Sequence, residues 1–457
     1  MDSCGPKKSV IWNDQESDDV HAGAFDGLTI MRHAPFYRER SSGGVEQLLR
    51  CLNRGLLQRH RLTLLQVYRV SDIRNCRIDV EEMAKGRIFW IPVAHKRTAF
   101  RFADLHRRAQ FVYDQTFPLH WENGGGRQRS LLNVVKGISH GLGHVKHRTV
   151  ILSNPLVPLL TTHKVDLLAV HGLTYDAEAL IAPARKLGIP FLLINHFDNA
   201  LFSEPQVRKW VPSAAGVGAV SGRCLPDYLR GRCVNLSDAV DTEFFAPKEA
   251  RCGNVAPRPT ILLPAIIKPG KGQEDLLRAA RILATRNLDF QVCFAGATES
   301  ESLREALRRE ATTAGLEGRV VFLGELCQEE IRDYYARSSI VVLPTYCEGL
   351  GRSLLEAQAM HKPVVAYDSG GVGETILPNE TGFLVKTGDV ETLADRLGYL
   401  LENETARSQM GERGRQFVVR RFSVSALIQR HESFYLRALR ENSPRAFDKE
   451  RATTLQG

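Results

Sequence analysis

The sequence predicts an α/β fold of two doubly wound, parallel-sheet domains facing each other across a cleft. Short runs that are apolar on both faces alternate with segments of helical period, the pattern of a parallel sheet covered by helices on both sides. The alternation occurs twice, once on each side of CGNVAPRP (252–259), a natural linker. The chain has 457 residues, 43% hydrophobic and 25% charged, enough for two full cores. The division that follows is a polar tail at 1–24, a first domain at 25–250 and a second at 251–423. A helix at about 424–440 can cross back onto the first domain, and 441–457 is a second polar tail.

In the first domain, LTIMRHA (28–34) reads as a strand, VEQLLRCLNRGLL (45–57) as an amphipathic helix and LTLLQVYRV (62–70) as the next strand. Between about 95 and 150 the rhythm breaks. There HKRTAFRFADLHRRAQFVY sets Phe100, Phe102, Leu105, Phe111 and Val112 among Lys96, Arg97, Arg101, Arg107 and Arg108, and WENGGGRQRS (121–130) is a polar, glycine-rich loop. VDLLAV (165–170), a helix over 176–188, PFLLIN (190–195) and VGAV (217–220) resume the pattern. In the second domain the strands are TILLPAI (260–266), FQVCFAG (290–296), RVVFLG (319–324), SIVVLP (339–344) and KPVVAY (362–367). Helices fit over 273–286, 300–314, 328–337 and 352–360. The final helical stretch, 404–440, is longer than one sheet edge can use.

Composition narrows the class of protein. The average hydrophobic and charged content excludes a disordered or collagen-like chain. The first twenty residues lack an apolar centre, so no secretory leader is expected, and no run reaches the roughly 20 apolar residues of a membrane-spanning helix. Nine scattered cysteines without a CxxC read as reduced thiols of a cytoplasmic protein. The net charge of +9 sits wholly in the first half: residues 1–240 hold 32 Lys+Arg against 22 Asp+Glu, and 85–148 alone hold 12 against 3. Such a field favours an anionic partner, and the basic amphipathic segment suits an anionic membrane surface. A solvated, arginine-rich surface is the other reading.

The chemistry concentrates at strand ends of the second domain. PTYCEGLGRSLLEA (344–357) leaves a buried strand, passes Gly349 and Gly351 and enters a helix, whose N-terminal N–H groups suit a phosphate. Glu348 and Glu356 flank that opening and can accept hydroxyls of a sugar and a ribose. For Glu356 the competing reading is a capping box with Ser353. After the next strand, Gly370, Gly371 and Glu374 form a second glycine turn lining the same cleft, and Lys268 and Lys271, after the strand at 260–266, can neutralise a pyrophosphate. No Asp-x-Asp metal motif is present, so no metal or cofactor is expected.

The spacing Glu348-x7-Glu356 within VVLPTYCEGLGRSLLEAQA resembles the retaining glycosyltransferases of family 4, which have the GT-B fold of two Rossmann-like domains. VVFLGELCQEEIRDYYARSSIVVLP, PVVAYDSGGVGETI, TGFLV and GDVETLADRL extend the resemblance through the second domain. SGGVE (42–46), VHG (170–172), LINH (193–196) and AVDTEFF (239–245) carry it, more thinly, into the first. The resemblance implies transfer of a sugar from a nucleoside-diphosphate-sugar to an acceptor hydroxyl. It implies that Glu348 binds the donor sugar with the backbone of Gly349, Leu350 and Gly351, that Glu356 holds the ribose, and that Lys271, with Lys268 in reach, contacts the diphosphate. Gly43 and Gly44 would offer a backbone N–H from across the cleft. His196 would touch the sugar near the reacting carbon, where a satisfied strand-end histidine is the alternative, and His171 would contact the acceptor. The base would lie near Leu326 and Cys327.

Three positions depart from the family pattern. Ile266 stands where an arginine usually precedes the lysine by five residues, and Leu350 replaces the usual phenylalanine. His361 replaces a glycine at a helix C-terminus that calls for positive φ, which histidine tolerates better than most residues. The family's front-face attack is implied, with the leaving diphosphate taking the acceptor proton. The partners implied are a sugar or lipid-linked acceptor and peripheral contact with the inner face of an anionic membrane, with no nucleic acid. Two rival readings remain: a nucleotide-sugar hydrolase or epimerase, and a non-catalytic nucleotide-sugar binder favoured by Ile266. A nicotinamide dehydrogenase is disfavoured, because PFYRERSSGG (35–44) is not GxGxxG.

Overall fold

The computed structural model describes residues 20–22, 24–34, 44–70, 79–83, 85–94, 157–172, 175–196, 204–223, 225, 229, 233–247 and 258–442. The basic stretch at 95–150, Gly43, most of the linker and most of both tails lie outside these residues.

Two sheets organise the chain. The first has eight strands: β1 (Thr29–His33), β2 (Thr63–Val70), β3 (Asp79–Met83), β4 (Gly86–Ala94), β5 (Leu167–His171), β6 (Phe191–Asn195), β7 (Gly216–Ala219) and β8 (Cys233–Asn235). Their order is β3-β4-β2-β1-β5-β6-β7-β8, parallel throughout except for β3. Helices α1 (Gly44–Arg59), α2 (Val157–Thr162), α3 (Tyr175–Lys186) and α4 (Glu204–Trp210) accompany it. The second sheet has β9 (Thr260–Pro264), β10 (Gln291–Ala295), β11 (Val320–Gly324), β12 (Ile340–Leu343), β13 (Val364–Tyr367) and β14 (Gly382–Val385). These run in the order β11-β10-β9-β12-β13-β14, all parallel. With it go α5 (Gln273–Thr285), α6 (Glu301–Thr313), α7 (Gln328–Arg337), α8 (Arg352–Ala359), α9 (Val390–Glu402), α10 (Glu404–Phe422) and α11 (Val424–Asn442).

The central strands are apolar in sequence because both of their faces are covered: every residue of β5, β6, β12 and β13 is buried. The helices show one buried stripe each. In α5, Leu276, Leu277, Ala280 and Leu283 face the sheet while Glu274 and Arg281 face water. Side-chain caps fix where two helices begin, with Ser300 accepting from the Leu303 N–H before α6 and Asp389 accepting from the Thr392 N–H before α9. His361 has φ of +58°, the left-handed conformation anticipated for that helix end.

Four strands were not expected: β3, β4, and the edge strands β8 and β14. β3 is an edge strand, DVEEM, with Val80 exposed and Glu81 accepting from the Trp90 indole N–H at 3.0 Å, so it has no apolar run to announce it. β4, between β2 and β3, opens the region where basic residues obscured the pattern.

The last helical stretch is two helices, broken at Ser423, whose backbone turns extended (φ −70°, ψ 159°) and bridges to Val240. From there α11 lies on the first sheet's helical layer. Its Leu427, Ile428, Phe434, Leu436 and Leu439 share one core with Ile30, Leu48, Leu52 and Leu56. Burying each such side chain contributes roughly 1.5–3 kcal/mol. A side chain at Gly55 of α1 would collide with Ile428, so the two helices touch closely. Inside this contact the fully buried Glu432 meets His60 at 2.8 Å and Arg59 at 2.7 Å. Glu432→Ala should therefore cost about 1–3 kcal/mol by removing the carboxylate that the buried His60 imidazole bonds, whereas the half-exposed Arg59 can turn to water. The expected result is a clear drop in thermal midpoint with earlier proteolysis of α11; an unchanged midpoint would show that the contact contributes nothing.

Candidate active site

In the second sheet, β9 and β12 are neighbours whose outgoing connections run in opposite directions, which opens a crevice at their carboxyl ends. Two loops meet there. The Tyr346 N–H and the Thr345 hydroxyl both donate to the Gly270 carbonyl, at 2.9 and 3.1 Å. Gly272 has φ of +77°, and a Cβ there would strike the Pro344 carbonyl oxygen, so only glycine permits the approach. Asp275 in α5 holds the same loop from below, accepting from the Tyr346 hydroxyl at 2.7 Å and the Tyr367 hydroxyl at 2.8 Å.

This meeting sets Lys271 Nζ 2.5 Å from Glu348 Oε2, with both side chains mostly buried. The turn at Gly370–Glu374 closes the third side: the Gly371 N–H donates to the Glu348 carbonyl at 3.1 Å, and Gly370 lies too close to that carbonyl to carry a side chain. Lys271, Glu348, Gly349, Leu350, Gly351, Gly370 and Gly371 thus converge on one place. Gly351 adopts φ of +83° and no side chain caps α8, so the helix presents its first turn of N–H groups to that place. Lys268 is half-buried in the same loop, and Ile266, at the crevice mouth, is 39% exposed. Leu326 is half-buried just beyond β11, at the same end of the sheet.

Glu356 does not form the capping box with Ser353. Its Oε2 accepts from the Tyr335 hydroxyl at 2.9 Å and its Oε1 from Arg352 Nε at 3.2 Å. Arg352 also stands 3.9 Å from Asp238, which follows β8 in the other sheet. Burial holds the pKa values of Glu356 and Asp238 above the usual carboxylate range, and the guanidinium between them offsets only part of that rise. The carboxylate is therefore braced rather than free to move.

Across the crevice, Gly44 opens α1 after β1, and His171 and His196 stand at the ends of β5 and β6. His171 Nδ1 lies 2.6 Å from His196 Nε2, with the ring planes 17° from parallel. Both histidines are buried, His171 at 1% and His196 at 7% exposure. Burial, the second imidazole and the charge of Arg32 hold His171 well below the usual histidine range. Burial and Arg32 bring His196 down to about 4. Arg32 is fully buried, bonded to Asn53 Oδ1 and to the Tyr435 hydroxyl.

The two halves touch at the crevice rim. Glu374 faces the other sheet, accepting from the Ser221 hydroxyl at 2.7 Å, the Arg223 N–H at 3.0 Å and the Asn235 amide at 3.3 Å. Arg223 pairs with Asp368 at 2.5 Å, and a Cβ on Gly349 would lie 3.6 Å from the His196 carbonyl oxygen. Sequence reasoning assigned no role to Arg32, Ser221, Asn235, Asp238, Tyr335 or Arg352. Two of these had a signal: Arg32 interrupts an otherwise apolar strand, and Arg352 lies inside the most informative motif.

Residues 249–417 match the family described as glycosyl transferases group 1. A GDP-mannose-dependent alpha-(1-6)-phosphatidylinositol monomannoside mannosyltransferase of Mycolicibacterium smegmatis is 32% identical over 40% of this chain and 51% of its own length, so the match spans about half of that relative. An alpha-D-kanosaminyltransferase of Streptomyces kanamyceticus is 32% identical over 53% of this chain and 69% of its own length. Among solved structures, HepE of Anabaena in complex with UDP and glucose has a TM-score of 0.57 at 18% identity, covering 88% of this chain and 97% of that one, a likeness of fold.

The depressed pKa of His196 has a consequence for stability. Between pH 6.5 and about 4 the unfolded chain binds a proton that folded His196 refuses, so stability is full above pH 6.5 and is lost as the pH falls toward 4. At pH 5 this one residue should account for about 2 kcal/mol. The thermal midpoint should fall from pH 7 to pH 5, and less steeply in His196→Asn; parallel curves for the two proteins would refute the assignment.

Proposed function

The chain belongs to the glycosyl transferases group 1 family, and from that premise we propose that it is a retaining glycosyltransferase of GT-B fold, moving a sugar from a nucleoside-diphosphate-sugar to an acceptor hydroxyl. The observation that carries the proposal is the Lys271–Glu348 ion pair at the uncapped start of α8. An arriving diphosphate offers Lys271 a stronger partner, and Glu348 is released to accept hydroxyls of the sugar. The α8 N–H groups and Lys271 then face the oxygen on which charge gathers as the glycosidic C–O bond breaks, the place where one preorganised donor is worth roughly 3–4 kcal/mol. On this reading these groups do the work of a divalent ion, the braced Glu356 holds the ribose, and the base stacks near Leu326.

Retention through a covalent glycosyl-enzyme needs a free nucleophilic carboxylate beside the acid. Glu356 is engaged by Tyr335 and Arg352, which favours attack on the same face as departure. The acceptor oxygen bonds to the anomeric carbon, the bond to the diphosphate breaks, and the acceptor proton passes to a diphosphate oxygen. The acceptor we propose is lipid-linked or anionic, met at the inner membrane face by a cytoplasmic enzyme. Support comes from the basic segment 85–148 and from a relative named for a phosphatidylinositol mannoside. Among the described residues no helix is long and apolar enough to cross a membrane.

Ile266 favours a second reading, a protein that binds nucleotide-sugars without turning them over. Thermal-shift screening of GDP, UDP and ADP names the base, and assays with the matching nucleotide-sugars separate the two readings. Glu348→Ala should lower turnover by at least about a hundredfold with the fold intact; unchanged turnover would end the first reading, and calorimetric binding without product would establish the second. Ile266→Arg, restoring a guanidinium at the diphosphate, should tighten donor binding about tenfold. An unchanged donor affinity in that variant would show that no charge is missing there.

A further inference from the structure

His171, expected as an acceptor contact, is buried with one ring nitrogen against His196, and this arrangement determines which hydrogen-bonding group His196 can offer. The argument rests on the reading of His196 as a contact to the donor sugar. Two imidazole nitrogens 2.6 Å apart share one proton, one ring donating and the other accepting. Around this pair stand Arg32 and His33 on β1 and His431 on α11, all cationic or neutral groups that disfavour any additional proton. His431 Nδ1 donates to the Leu427 carbonyl at 3.1 Å, and burial lowers that ring to about 3. Both members of the pair are therefore neutral, and each carries one proton.

Two arrangements satisfy these conditions. In one, His196 donates from Nε2 to a bare His171 Nδ1, which puts the His171 proton on its own Nε2. In the other, His171 donates from Nδ1 to a bare His196 Nε2, which puts the His196 proton on Nδ1. They differ at His171 Nε2, an atom that is buried and has no hydrogen-bond partner among the described residues. A buried N–H without an acceptor is rarer and costlier than a bare lone pair, and the field of the Arg32 guanidinium favours the lone pair as well. The second arrangement wins.

We propose that His171 is a positioning residue that locks His196 in the Nδ1–H tautomer, so that His196 meets the donor as a hydrogen-bond donor to a sugar or leaving-group oxygen and cannot serve as a base. This agrees with the diphosphate as the group that takes the acceptor proton, and it explains why a second histidine is buried at the end of the neighbouring strand. The tautomer of a neutral histidine is set by the bond its other nitrogen makes.

Nuclear magnetic resonance reads the tautomer directly, without any assay of transfer. In full-length, 15N-histidine-labelled protein, long-range proton–nitrogen correlations should show a protonated Nδ1 and a bare Nε2 on the ring that disappears in His196→Asn. In His171→Leu the proton should move to Nε2. A protonated Nε2 in the wild-type protein, or a pattern unaltered in His171→Leu, would overturn the proposal even if the transferase assignment stands. Where transfer is measured, His171→Asn places an amide N–H near the position of Nδ1 and should keep kcat within about threefold, whereas His171→Leu should lower kcat about tenfold or more with donor KM little changed. Equal losses in the two variants would mean that His171 acts through packing alone, which also overturns it. A chain that binds donor but proves inactive leaves the spectroscopic result to decide.

Discussion

The site depends on one steric constraint: the loop after β9 must lie against the loop after β12, and it can do so only because Gly272 has no side chain to press on the Pro344 carbonyl. From that contact follow the two hydrogen bonds onto Gly270, the 2.5 Å approach of Lys271 to Glu348, and the alignment of both with the start of α8. Asp275 reinforces it from within the domain, because a buried carboxylate accepting two tyrosine hydroxyls is costly to disturb. The loop that carries Lys271 is therefore anchored from two directions before any ligand arrives, which is the condition for electrostatic preorganisation.

The same preorganisation extends between the domains. Glu374 belongs to the glycine turn that packs on Glu348, yet its carboxylate is held by Ser221, Arg223 and Asn235 of the opposite sheet. Arg352 opens α8, yet it joins Glu356 to Asp238 across the same boundary. Each bond by itself is modest, about 1 kcal/mol or somewhat more where a charge takes part. Their placement matters more than their strength: opening the cleft must release groups bonded directly to Glu356 or to the turn that packs on Glu348. On the proposed reading, closure and donor recognition share side chains.

Much of this was legible in the sequence, for a physical reason. Strands buried on both faces have no choice but to be apolar, so β5, β6, β9, β12 and β13 declare themselves, and glycines forced by close approach mark the loops between them. Edge strands escape that rule, which hid β3, β8 and β14. The cross-domain contacts were not legible, because Ser221, Asn235 and Asp238 are ordinary polar residues until a second sheet is set opposite them. Glu356 shows the limit most clearly: its spacing from Ser353 satisfied a local capping rule, but Tyr335 and Arg352 offered the carboxylate stronger partners. His171 was visible as a strand-end histidine, and only the neighbouring strand showed that it faces another imidazole.

The charge balance at the proposed donor site gives closure more weight than the motifs alone suggest. A diphosphate brings at least two negative charges. In the second domain the loop after β9 supplies Lys271 and Lys268, but Ile266 supplies nothing, and Arg352 already serves Glu356 and Asp238. On the proposed reading the shortfall must be met by dipoles, from the N-terminus of α8 on one side and from α1, which Gly44 opens, on the other. A helix dipole acts only over about its first turn. The contribution of α1 therefore exists only while the two sheets are held together, and the bonds to Glu374 become part of the electrostatics of the leaving group. The neutral His171–His196 pair fits the same logic. A fixed N–H dipole aimed at the donor adds polarity without adding a carboxylate or a second base, in a site whose positive charge is already short.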